Sequence, residues 1–445
     1  MKIIFIILNF LFYSSFLNAQ SLLQDQFLYQ TQRLLYDVGN DWNNLTVFRT
    51  LTSNSVSGLN MKKINLSSYV DGHMSFISMG KNISLHGFGY FLYNNKYYAY
   101  VNPKLVNESY QNGIDSIYFN SNQKSQSGLG YKNSWVNLQL GRGTENWGSG
   151  TDINLALSKS SAPYDYFLLG SDYGKVRVKY IYGYLGKIDS STNRYITARG
   201  LEWTNRESLI IGFSETVIYS GKNRSFDIGY LNPISSHLEI ELNNRLNITG
   251  DGNSNAVWQF HLDYLLNKNI RFSLNYLYDE FVIDQDVELY KEHGRAISGR
   301  LAYSPSISNN YLLIFYSTLV YVGTPTFRHS LGTNNFVQNG RPLGWYRGSD
   351  SQEVTYGFNY YNKNNLIVNL SMGLLERGEE TIINRTFEPY KDYLKGSFPS
   401  GEVKRIFNAK IQAFYRWREN YLISTNFYLE KRNQSVKLAL NIPIF

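Results

Sequence analysis

Arg142 and Trp147 lie in a glycine-rich turn, Gly141-Arg142-Gly143-Thr144-Glu145-Asn146-Trp147-Gly148-Ser149-Gly150. A guanidinium and an indole held close together suit a sugar. The apolar ring face stacks on the aromatic, and arginine donates to carboxylates and hydroxyls. Two further stretches mix the same groups: one holds Arg341, Trp345, Tyr346, Arg347 and Asp350, the other Arg385, Glu388, Tyr390, Lys391, Asp392 and Tyr393. The candidate carbohydrate-binding residues are therefore Arg142, Trp147, Arg341, Trp345, Tyr346, Asp350, Arg385 and Tyr390. Packing is the alternative for each. Glycine turns beside strands shape bends and bulges, and loops fold over whatever lies beneath them.

Catalytic chemistry has little footing. The six histidines (His73, His86, His237, His261, His293 and His329) show no metal-ligand spacing, and no cysteine is present to complete a zinc site. Neither a G-x-S-x-G elbow nor a P-loop occurs. Asp279, Glu280, Asp284 and Asp286 lack the spacing of an EF-hand loop and read as a strand end, while Gly250 to Asn255 reads as a turn. We expect no catalytic residue, no metal and no cofactor. A Ser–His hydrolase stays open, because triad partners need not be near in sequence.

Alternation supplies the scaffold for these residues. Val176, Val178, Tyr180, Tyr182 and Tyr184 oppose Lys175, Arg177 and Lys179. Trp258 to Leu266, Ile270 to Tyr278, Leu366 to Leu374 and Ile411 to Trp417 repeat the pattern, as does the shorter run of Leu238, Ile240 and Leu242 against His237, Glu239 and Glu241. Ile153 to Leu157 also reads as extended, and His237 and His261 fall on the polar face. A soluble sandwich and a membrane barrel share this period. In the barrel the apolar face meets lipid and the polar face lines the lumen.

Composition and the chain ends favour the barrel. Aromatic residues make up 16% of the chain, with 38 tyrosines and no cysteine, and no fixed-period repeat supports a propeller. Lys2, the apolar run Ile3 to Phe16 and Leu17-Asn18-Ala19 read as a secretory signal peptide cleaved before Gln20. Gln24 to Val38 carries Phe27, Leu28, Leu34 and Leu35 at helical spacing, predicting a short amphipathic helix. The chain closes on the strand VKLALNIPIF, with Phe445 out of phase with the apolar set and Pro443 confined to a strand end. Asparagine-rich breakers separate the runs, and long loops are expected at Asn107 to Lys132, Thr324 to Asp350 and Glu376 to Lys404. The expected fold is all-β, a transmembrane antiparallel β-barrel of about 16–18 strands with a short N-terminal helical segment. Its divisions are a signal peptide (1–19), an N-terminal helical or periplasmic segment (20–70) and the barrel (71–445).

The run GRGTENWGSG followed by LALSKSSAP resembles the signature of the Wzi-like capsule-assembly family of outer-membrane proteins. Weaker echoes follow in order: Asn232-Pro233, the 250–255 turn, Tyr278-Asp279-Glu280-Phe281, Gly340-Arg341-Pro342-Leu343-Gly344 and Ser349-Asp350-Ser351. The resemblance implies an outer-membrane β-barrel lectin that helps retain or assemble capsule or exopolysaccharide, with helices at its N-terminus. Expected partners are that polysaccharide, outer-membrane lipid and lipopolysaccharide, the protein being a monomer that binds no nucleic acid. The net charge of +8 fits steering of an acidic polymer. A porin-like channel is the alternative use of the same architecture, and a barrel-borne hydrolase a third.

Overall fold

Branched and aromatic residues at every second position, with breakers between the runs, fold as antiparallel strands. The computed structural model describes Leu34 and most of the chain from Ser68 to Pro443, apart from 80–81, 95, 107–125, 244, 247–253, 281–289, 306–310, 363–364, 391–394, 419–420 and 431–432. The expected signal peptide and, apart from Leu34, the expected helix at Gln24 to Val38 lie outside the described residues.

The strands in chain order are β1 (Ser68–Met79), β2 (Asn82–Tyr93), β3 (Tyr97–Asn102), β4 (Lys104–Val106), β5 (Gln126–Lys132), β6 (Val136–Gly143), β7 (Tyr164–Asp172), β8 (Val176–Lys187), β9 (Thr192–Thr204), β10 (Leu209–Lys222), β11 (Ser254–Asn267), β12 (Ile270–Glu280), β13 (Gly294–Tyr303), β14 (Tyr311–Val322), β15 (Val337–Gln338), β16 (Arg341–Pro342), β17 (Ser351–Asn362), β18 (Leu366–Arg377), β19 (Lys404–Arg418), β20 (Tyr421–Glu430) and β21 (Asn433–Pro443). All but β15 and β16 join one 19-stranded sheet. Pro103 separates β3 from β4, and both lie beside β2, so they share one place and the sheet has 18 positions. The strand β1 pairs with β2 on one side and, through His73 to Met79, with β21 on the other. The expected strand number holds, although Gln126 to Lys132, expected within a loop, is the strand β5.

Exposure follows the alternation and is inverted relative to a soluble protein. Leu201 on β9, Phe213 on β10 and Phe260 on β11 face each other across the ladder and point outward, exposed. One residue along, Glu202, Gly212 and His261 form the matching inner row, extended by Arg177 and Asn275. Arg177 donates to Glu202 at 2.9 Å inside this wall, and Arg271 to Asp263 at 2.7 Å. Gly212 leaves the space that the His261 ring fills, since a Cβ there would sit 2.1 Å from it.

The connections are also sorted. The long ones (107–125, 144–163, 223–253, 281–293, 323–350 and 378–403) all leave one end, and short turns close the other. At the short-turn end Tyr93, Tyr97, Trp135, Tyr173, Trp203, Tyr264, Tyr303, Tyr311, Trp417 and Tyr421 are exposed. They form the aromatic girdle expected where a barrel wall meets a lipid headgroup layer. Leu34, helical and buried, packs there with Leu312, Ile314, Ile367, Phe414 and Leu422.

Two extended runs expected from the sequence are not strands. Residues 237–242 form a helix, and 153–157 is a bent segment inside the barrel. The 223–246 connection carries two short helices, α1 (Ile228–Leu231) and α2 (His237–Leu242). The α2 start is side-chain capped: the Ser236 hydroxyl accepts from the Glu239 amide. Six residues satisfy both a two-residue and a helical period, and the cap decides. This connection lies against the outside of β8 to β11, so His237 is not a lumen residue, whereas His261 is.

Candidate functional site

Long connections fill the loop end of the barrel from within. The 144–163 segment turns inward at Gly148, whose φ of +108° and approach to Asn275 and Gln259 exclude any side chain. Ser149 donates its amide to Asn275 Oδ1 at 2.6 Å, Ala156 to Gln259 Oε1 at 3.1 Å, and the Ser298 hydroxyl donates to the Ile153 carbonyl at 2.7 Å. Inner-wall polar groups thus satisfy a loop backbone that would otherwise be buried without partners. Trp147, 1% exposed, donates through its indole to Glu145, which also accepts from the Tyr166 hydroxyl and pairs with Lys179.

The 323–350 connection folds over this segment. Asn339 and Gly340, both at positive φ (49° and 72°), turn the hairpin between β15 and β16. Leu343 accepts from the Ser158 amide, and Trp345 donates its amide to Leu155. Arg194, on the inner face of β9, donates to three carbonyls of this connection: Thr333 at 2.6 Å, Val337 at 2.9 Å and Asn335 at 2.7 Å. The result is one apolar core in which Ile181, Ile196, Val257, Leu277, Ala296 and Val320 of the wall meet Trp147, Leu155, Phe327, Phe336, Leu343 and Trp345 of the loops.

Asp350 ties a third connection to the second. Its carboxylate accepts from the Thr324 hydroxyl at 2.9 Å, the Ser400 amide at 2.8 Å and hydroxyl, and the Glu380 amide at 3.0 Å. Arg347 reaches Glu430 at 3.1 Å and Glu353 at 3.4 Å, and lies over the Tyr346 ring. Arg328 pairs with Glu380 at 2.6 Å and lies 4.5 Å over Tyr390. Burial pushes the His329 imidazole below and the Tyr390 phenol above their ordinary ranges.

The eight candidate residues therefore separate. Trp147, Arg341, Trp345 and Asp350 are buried within the packed loops, and Tyr346 is half-buried against the same core. Arg385 and Tyr390 stay near solvent, Arg385 bridging Glu380 at 3.1 Å and Glu388 at 2.8 Å. Arg142 shares the outward phase of Leu140 and pairs with Asp165 at 3.0 Å on the outer wall, away from Trp147. Both partners are partly exposed, so we expect Arg142→Ala to lower stability by under about 1 kcal/mol. A shift in the denaturant midpoint several times larger would contradict this peripheral placement. Sequence reasoning missed Arg194, Gln259 and Asn275. Only their inward phase on alternating strands marks them, and phase does not reveal which loop they hold. Among the described residues no cluster suited to a metal ion occurs.

A barrel of 18 positions has long connections folded into one mouth and the buried Leu34 at the other end. The chain has the fold of Wzi. That outer-membrane protein, involved in group 1 capsule assembly in Escherichia coli and described as a carbohydrate-binding β-barrel, aligns over 97% of this chain and 100% of its own, with a TM-score of 0.64 and 13% sequence identity. OprD, an outer-membrane protein of Pseudomonas aeruginosa, aligns over 87% of this chain and 96% of its own, at a TM-score of 0.47 and 9% identity. OccK3 of the same organism also reaches 0.47, at 7% identity, covering 85% of this chain and 95% of its own. No family model and no curated protein sequence matches the chain. Wzi is an outer-membrane β-barrel, so the Wzi-like fold expected from the GRGTENWGSG run is the one observed.

Proposed function

We propose that this protein sits in a bacterial outer membrane and binds a surface polysaccharide at its loop end, assisting attachment or assembly of capsule or exopolysaccharide. The observation that carries the reading is the filled mouth. Loops that would leave a channel open in a porin are packed around Trp147, Trp345 and Phe336 into a continuous apolar core. That arrangement suits a rigid platform better than a solute path. On its outer surface Glu388 is exposed, and Arg385 and Tyr390 are half-buried. Preorganised loops lose less conformational freedom on binding a polymer, which raises affinity for a given set of contacts. The shared fold with Wzi supports the same reading.

A glycan array probed with the detergent-purified protein tests it. Binding is expected to acidic polysaccharides and to weaken on the order of tenfold in Arg385→Ala, the effect of losing one charge-assisted hydrogen bond. Trp345→Ala is the wrong control, because that ring holds the core together. No glycan retained above background sinks the proposal. Large steady conductance in a planar bilayer would replace it with the porin reading.

A further inference from the structure

The outer wall of β8 to β11 breaks the lipid-facing pattern. Tyr180, Arg199, Glu215 and Trp258 occupy the outward phase set by Leu201, Phe213 and Phe260, yet they are polar and largely buried. A charged pair facing hydrocarbon is strongly unfavourable. The 223–246 connection covers it. The Tyr180 hydroxyl donates to the Tyr230 carbonyl at 2.6 Å, Arg199 to the Asn232 carbonyl at 3.3 Å, and the His237 amide and Trp258 indole both donate to Glu215, at 3.1 and 3.0 Å. Tyr230 stacks on Tyr219 and hydrogen-bonds Ser254. The connection is thus a fitted flap on the outside of the barrel.

The far side of this flap is apolar. His237 and Ile240 of α2 point to the wall, whereas Leu238 and Leu242 point away. With Phe226, Ile228, Leu231 and Ile234 they form an exposed apolar face, on which Ile234 is 89% and Leu242 79% accessible. The charges on this stretch are matched internally: Glu239 pairs with Arg245 at 2.6 Å, and Asp227 with Arg224 at 3.2 Å. The face continues the band of Leu201, Phe213 and Phe260 toward the loop end along the same outward wall.

We infer that the outer face of the flap is a second lipid-contact surface, covered by acyl chains of the outer leaflet. Arg224 and Asp227 pair on the buried side of the flap, Glu239 and Arg245 neutralise each other at its exposed edge, and the apolar groups extend the membrane-facing band of the strands. The inference rests on the membrane reading of the barrel and adds a lipid-binding element that is not part of the strands.

Because the chain has no cysteine, spin labels can be placed singly at Ile234→Cys and Leu242→Cys in protein reconstituted into phospholipid vesicles. Phe213→Cys on the bare wall and Ser190→Cys in the exposed β8–β9 turn serve as lipid and water references. The flap labels are expected to collide with oxygen as the Phe213 label does, and with a polar nickel chelate on the order of tenfold less than the Ser190 label, since hydrocarbon excludes such a complex. Nickel accessibility at Ile234 and Leu242 matching Ser190, with Phe213 still protected, overturns the inference and leaves the barrel reading intact. Nickel accessibility at Phe213 as well overturns the membrane reading itself. Dipolar broadening between Ile234 labels assigns the face to a second copy of the chain, which also overturns the inference.

Discussion

Arg194→Ala is expected to loosen the 323–350 connection and open the mouth of the barrel intermittently. Arg194 Nε, Nη1 and Nη2 each hold a different loop carbonyl, at Thr333, Val337 and Asn335, in a buried setting. Removing the guanidinium leaves three acceptors without their charged donor. Each such loss is worth about 1–3 kcal/mol where water cannot fully substitute. The net destabilisation should therefore be at least about 3 kcal/mol, concentrated in the loop and not in the strand ladder. The Ser220 hydroxyl and the Asn255 amide, which also bond the turn at 333–334, limit the displacement. Single-channel recording should show brief openings absent in the parent protein, and limited proteolysis should cut near the exposed Leu331. Arg194→Lys keeps the charge without the planar fork and should fall between the two. An Arg194→Ala protein with parental conductance and protease resistance would show that the apolar core alone holds the loop.

Gly344→Ala should be more damaging than its size suggests. A Cβ at Gly344 would lie 1.5 Å from the Leu155 carbonyl oxygen and 2.6 Å from its carbon. Those are backbone atoms of the 144–163 segment, held by the Trp345 amide on one side and by Gln259 on the other. Neither segment can yield without breaking these bonds, so the two loops must separate at their closest approach. Overpacking of a constrained core site costs about 1–3 kcal/mol and more where only backbone can move; we expect at least about 3 kcal/mol. Gly340→Ala is the contrasting variant. There the added Cβ meets nothing within 4 Å, and only the positive φ of 72° is unfavourable, so the loss should stay near 1 kcal/mol. Equal denaturant midpoints for the two variants would refute the close-approach argument.

Much of the wall was legible beforehand, for a local reason. Each strand residue points in or out according to its parity, so Val176 to Tyr184, Trp258 to Leu266 and Leu366 to Leu374 could be assigned to faces from the sequence alone. The inversion of those faces was expected from the aromatic load and from an apolar N-terminal run read as a signal peptide. The mouth was not legible. Trp147 and Trp345 carry the residue types of a sugar platform, and nothing in their neighbourhoods shows that both are buried. Ser149 meets Asn275 across 126 residues, and Ala156 meets Gln259 across 103. Contacts of that span leave no periodic trace. The α2 helix failed for the opposite reason: its six residues fit two periods, and the Ser236–Glu239 cap was the deciding signal.

By itself, the sequence determined which side chains share a face of each strand and that the chain suits a barrel, because side-chain alternation is a property of the local backbone. Only the tertiary structure decided what the loops cover. It sent Trp147 and Asp350 inward, left Arg385 at the surface, placed Arg142 on the outer wall, and wrapped α1 and α2 around Arg199 and Glu215. The physical reason is that a buried polar group takes whichever partner the closed sheet brings within hydrogen-bonding reach, and those partners lie many strands away along the chain.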